Sequence, residues 1–273
     1  MLSVSFFTAL GAVLNALFLV AGVYIYISLI RQIAARTSAV VGETPARTFG
    51  LAEAVVAVAL ITWFLLEVGV WLFVGTRPAS TRDIVPSIFI NVGLLLFMIA
   101  FLRFRRLDLN SLAGFSKIGF WRTLGTGVVL LLAAYPLIAL ADILFRSLFG
   151  SGAGPNRQPI VDLFTGSETI GQRILLIFLA VAIAPIFEEF VFRFFFYNVF
   201  KKYGGWFLGL VLNAALFALV HMHLPSFAAL FVLGSCLTIA YEWSGSILVS
   251  MTMHSLFNAI MLTLLAFPEI FPQ

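Results

Sequence analysis

The chain has 273 residues, 62% of them hydrophobic and only 10% charged, with a formal net charge of +4. So much apolar surface is more than a soluble core of this length can hide, which excludes a water-soluble globular domain. The sparse positive charge sits in short loops beside headgroups, which excludes a nucleic-acid surface, and the lone Cys236 excludes a disulfide framework.

A helix of about 20 apolar residues matches the roughly 30 Å hydrocarbon layer and satisfies its own backbone hydrogen bonds. The expected fold class is therefore all-α, a polytopic transmembrane helix bundle of about eight spans. They fall near residues 5–30, 51–74, 84–102, 124–149, 170–200, 206–221, 226–241 and 246–267. The first lacks a basic n-region and is too long for a signal-peptide core, so it is expected to be retained. Residues 1–150 read as N-terminal scaffold helices, and Glu53, Glu67 and Asp142 stand isolated near their ends as interfacial or helix-packing groups. The stretch "GSGAGPNRQPIVDLFTGSE" (150–168) has the Gly and Pro content of an irregular loop. Beyond it, residues 165–267 carry most of the intramembrane charge.

Loops one, three, five and seven hold ten Lys and Arg against five on the other side, with Arg193 set aside, so the first group is expected to be cytoplasmic. The result is a multi-pass integral membrane protein with the bilayer as its solvent.

Ionisable residues within a span cost roughly 2.5–3.5 kcal/mol each on insertion scales, so each marks a function or a partner. Glu188, Glu189, Arg193, His221, His254 and Asn258 stand in such positions. Glu189 and Arg193 are four apart, the spacing at which the two meet on one helix face and neutralise each other. Glu188 points about 100° away and needs another partner; in a dry site such a carboxylate strengthens as a base. Pro185, three residues earlier, removes a backbone donor and is expected to kink or break the helix.

The turn "KKYGG" (201–205) lies between Glu188 and His221, and antiparallel helices running from it bring both to a similar depth, roughly 22–27 Å from the turn. His254 and Asn258 are again four apart and share a face of the last span. Four polar groups on three helices thus approach one layer. His223 and Glu242, beside Pro or Gly at span ends, read as structural or surface groups near water. Taken singly, each intramembrane group also has a bland reading as interhelical glue or an ion pair.

Together, "EEFVFR" (188–193), "FALVH" (217–221) and "HSLFN" (254–258) match the ordered motifs EExxxR, FxxxH and HxxxN. This set resembles the CPBP family of intramembrane proteases, which includes the type II CAAX prenyl endopeptidase. The resemblance covers residues 165–267 and leaves the first four spans outside it. It implies an intramembrane endopeptidase acting on membrane-associated or lipid-modified peptides. Glu188 with His221 would activate water, His254 with Asn258 would stabilise the oxyanion, and Glu189 with Arg193 would hold the first carboxylate. Zinc is the cofactor to weigh, since Glu188, His221 and His254 make a three-ligand set with water in the fourth place. Against it, no HExxH occurs and Asn258 is an unusual ligand, which favours the metal-independent mechanism.

The charge count puts "KKYGG" inside and moves the site toward the middle or outer half of the bilayer, away from the cytosol-facing site the resemblance implies. Nothing in the chain speaks for a prenylated substrate. Two other readings compete. A proton-coupled transporter predicts inverted repeats and broken helices in both halves, whereas the charges here gather in one. A non-catalytic membrane adaptor would tolerate loss of Glu188, His221 or His254, and all three are present.

Overall fold

A computed structural model describes residues 2–39, 49–74, 81–150, 159–167 and 169–267. These residues are almost wholly helical: α1 (Leu2–Ala39), α2 (Leu51–Val74), α3 (Thr81–Phe104), the short α4 (Leu109–Ala113), α5 (Phe120–Phe149) and α6 (Pro159–Thr165). Then follow α7 (Ile170–Phe178), α8 (Ala184–Glu189) and α9 (Tyr197–Val220), joined by π-helical turns at Leu179–Ile183 and Phe190–Phe196, and finally α10 (Phe227–Ser244) and α11 (Ile247–Ala266).

Seven helices among the described residues are long and apolar enough to cross a membrane, where about eight spans were expected. The difference lies at Gly205. Residues 170–220 form one nearly continuous helical segment, but Gly205 has φ 78° and ψ 169°, a conformation essentially reserved for glycine, and there the chain doubles back. The two arms approach so closely that a Cβ on Gly209 would lie 2.9 Å from the Lys201 nitrogen. Counted as two arms, the segment restores eight legs.

The helices sort by what surrounds them. In α10, 56% of the most apolar window is buried, against 11–33% for the other spans, so α10 is the axis of the bundle and the others turn one side to lipid. It packs on α9, α5, α11 and α1. Lipid gives no hydrophobic drive between helices, so close approach depends on small side chains. Gly22 of α1 lies so near the Ala133 carbonyl of α5 that a Cβ there would overlap it, and a Cβ on Gly127 would come 2.7 Å from Thr252 of α11. Polar seams add direction: Tyr26 donates to the Leu130 carbonyl at 2.9 Å, and Asn213 to Thr238 at 3.0 Å.

Several expectations are corrected. The loop expected over 150–168 contains a helix at Pro159–Thr165; residues 151–158 and 168 of it lie outside the described residues. Of the two readings of Glu53, the helix-packing one holds: it is buried, accepting from Gly50 N–H at 2.7 Å and from Arg105 at 2.9 Å. Asp142 is not isolated, since Arg146 one turn later pairs with it at 2.9 Å. His223 is buried rather than near water, with Ser226 Oγ at 2.8 Å from its Nδ1.

Candidate active site

Local sequence prepares the helix that carries the carboxylates. A capping box starts α7, with Gln172 N–H donating to Thr169 Oγ1 and the Gln172 side chain accepting from Thr169 N–H. Pro185 neither breaks the helix nor leaves helical dihedrals: Ile183 and Ala184 stay at φ −72° and −60°. The wider turn at Leu179–Ile183 accommodates the ring instead, as π turns do. In that turn Ala184 N–H reaches Leu179 O, so the next acceptor, Ala180 O, falls opposite Pro185, which has no hydrogen to give. Asn258 Nδ2 fills the gap, donating to Ala180 O at 2.8 Å. One amide hydrogen of Asn258 is thereby committed to the backbone and the other remains.

Glu189 and Arg193 pair as their spacing predicts, Oε1 to Nη1 at 3.0 Å, both completely buried. A buried ion pair needs further partners to offset its desolvation. His254 Nδ1 lies 2.8 Å from the same Glu189 oxygen, Arg193 Nη2 donates to Gly234 O at 3.3 Å, and the guanidinium sits 4.3 Å from the centroid of the Phe217 ring. Around this knot Phe192, Phe194, Phe195 and Phe196 are buried. The aromatic run packs the ion pair in place and keeps lipid from it.

Glu188 faces the other way, as the helix angle requires. Its Oε2 has no hydrogen-bond partner, and it stands 3.9 Å from His221 Nε2 and 3.7 Å from His254 Nε2. His221 ends α9; its Nδ1 lies 2.6 Å from Phe217 O, and the next residue, Met222, leaves the helix at φ 47°. A carbonyl only accepts, so His221 Nδ1 carries the hydrogen and Nε2 presents a lone pair toward Glu188. His254 Nδ1 likewise faces an acceptor, the Glu189 carboxylate. An oxygen 3.9 and 3.7 Å from two ring nitrogens can share a water with each, because two hydrogen bonds of about 2.8 Å span up to about 5.6 Å.

All four groups, Glu188, His221, His254 and Asn258, line one cavity of about 810 Å³ with largely apolar walls. The six residues singled out by sequence thus form two connected sets: Glu189 and Arg193 buried behind, the other four on the cavity. The cavity also receives Asn91 of α3 and Tyr135, Asp142 and Arg146 of α5, so the N-terminal helices contribute to its wall. Sequence reading missed these residues. The signal was available for one pair, since Asp142 and Arg146 have the same four-residue spacing as Glu189 and Arg193.

A tetrahedral zinc with bonds of about 2.0–2.1 Å sets its ligand atoms roughly 3.3–3.4 Å apart. The carboxylate oxygen here stands farther than that from both nitrogens, and among the described residues no group of three His, Cys, Asp or Glu is arranged to hold a metal ion.

Residues 170–260 match the family model described as type II CAAX prenyl endopeptidase Rce1-like. The match contains all three motifs and all six residues. No curated protein and no solved structure matches the chain. The matched family is one of endopeptidases and the match covers about a third of the chain; with seven apolar helices of spanning length among the described residues, the chain is a multi-pass membrane protein.

Proposed function

We propose that this protein is an intramembrane endopeptidase that hydrolyses peptide bonds of membrane-associated or lipid-modified peptides, with Glu188 as the base. One observation carries the reading: a carboxylate oxygen without a hydrogen-bond partner faces two imidazole nitrogens on the wall of a large apolar cavity. A water held among them loses a proton to Glu188 while its other hydrogen rests on His221 Nε2. The hydroxyl oxygen bonds to the peptide carbonyl carbon. The developing oxyanion is met by the remaining N–H of Asn258 and by an N–H at His254 Nε2, the ring being held from its far side by Glu189. Glu188 then passes its proton to the departing amine nitrogen as the C–N bond breaks. Base and oxyanion donors each contribute typically 10²–10⁴ and about 10²–10³ in rate. Arg193 touches no reacting atom; it holds Glu189 in place through their ion pair and so orients His254. The apolar walls suit a substrate that brings its own apolar segment, whether a membrane-embedded tail or an attached lipid.

The test is direct. Proteoliposomes of the purified protein are incubated with a library of membrane-anchored peptides, half of them prenylated near the C-terminus, and mass spectrometry reads new C-termini. Cleavage of a subset is expected, unchanged after strong chelation. No cleavage of any member under conditions where the protein stays folded contradicts the peptidase reading; loss of cleavage on chelation contradicts the metal-independent mechanism.

A further inference from the structure

A second pocket, of about 570 Å³, lies where the end of α1, the start of α5 and the end of α10 meet. It shares no residue with the cavity of Glu188. Arg36, Lys117 and Arg122 line it, and among the described residues no Asp or Glu does. Arg36 is fixed there because its Nη1 donates to the Trp243 carbonyl at 2.8 Å, while the Trp243 indole donates to Gln32 at 3.0 Å. Lys117 and Arg122 are exposed and make no ion pair or side-chain hydrogen bond among the described residues.

The floor of the pocket adds to this charge. Gly119, the N-cap of the 30-residue α5, supplies no side-chain cap, so the first backbone N–H groups of that helix stay open toward an anion. Phe120 and Trp121, 72% and 78% exposed and in edge-to-face contact at 5.1 Å, project beside it. Exposed aromatics next to cations at the end of a spanning helix mark the headgroup level of a bilayer. Three cations converging on a concave surface with no carboxylate among the described residues lining it call for a phosphate, and the aromatics place that phosphate at the membrane surface.

We propose that this pocket binds the phosphate of an anionic phospholipid headgroup, held by Arg36, Lys117 and Arg122 over the start of α5. The site is independent of the peptidase reading.

The full-length protein in a neutral detergent is titrated by calorimetry with dihexanoyl phosphatidylglycerol, dihexanoyl phosphatidylcholine and inorganic phosphate. Saturable binding of the anionic lipid is expected, about ten-fold or more tighter than the zwitterionic one, and weakened about ten-fold or more in the Lys117→Gln/Arg122→Gln variant at unchanged Tm. Lys117→Gln alone gives the same comparison with a smaller loss, and Arg122→Lys should retain most of the binding. Inorganic phosphate as tight as the anionic lipid would reassign the pocket to a free phosphate. Equal binding of the two lipids, or anionic-lipid binding untouched in both glutamine variants, overturns the proposal.

Discussion

Glu189 shows how a charge survives in this interior. It is completely buried, yet Arg193 and His254 both approach one of its oxygens. Removing one partner of such a pair leaves a bare charge, which costs roughly 3–5 kcal/mol, whereas removing both can be nearly neutral. Arg193→Leu is therefore expected to lower the melting temperature sharply in detergent, and Glu189→Gln/Arg193→Leu to recover much of the loss; a single variant as stable as the wild type would show that the pair is unimportant to the fold. The two glutamates also mark what was legible at this level. The i, i+4 spacing announced the pairing of Glu189 and left Glu188 for other helices. What spacing could not announce was that His254 serves both, Nδ1 to Glu189 and Nε2 to Glu188, because that depends on how α11 is rotated.

The helix carrying the carboxylates owes its continuity to a remote side chain. Pro185 read in isolation predicts a break, and the break is avoided by a π turn whose stranded Ala180 carbonyl Asn258 satisfies. An unsatisfied buried acceptor costs about 1–3 kcal/mol. Asn258→Ala should lose about that much stability, and in a Pro185→Ala background, where an N–H returns to residue 185, the loss should shrink. Equal losses in both backgrounds, measured by thermal unfolding, would uncouple the two residues. Gly205 is the other local device. Its backbone conformation is closed to residues with a Cβ, so Gly205→Ala is expected to destabilise by roughly 1–3 kcal/mol, read in the same assay. The glycines of "KKYGG" pointed to a turn, but the near-continuous helix on either side of it was hidden, since periodicity does not reveal how tightly a hairpin closes.

Taken whole, the molecule is legible in proportion to how local its causes are. Apolar run lengths specified the all-α bundle and most span positions, and depth counting from the turn brought Glu188 and His221 together correctly. The cavity was not legible: its walls come from α3, α5 and α6 as well as from the C-terminal helices, and helices distant in the chain meet through packing that no spacing records. Ala139 of α5 lines that cavity. Ala139→Phe should fill part of it, lowering kcat/KM for a cleaved peptide while the melting temperature stays near that of the wild type. Unaltered kinetics would mean that substrate does not use this wall.

Glu188 is the group on which the chemistry turns, and its replacement by Gln keeps shape while removing the base. Cleavage of a substrate peptide should be followed in proteoliposomes for the wild type and for Glu188→Gln at matched melting temperature. A fall in kcat of about 10² or more is expected for the variant. Turnover within a few-fold of the wild type would contradict the assignment of Glu188 as the residue that activates water.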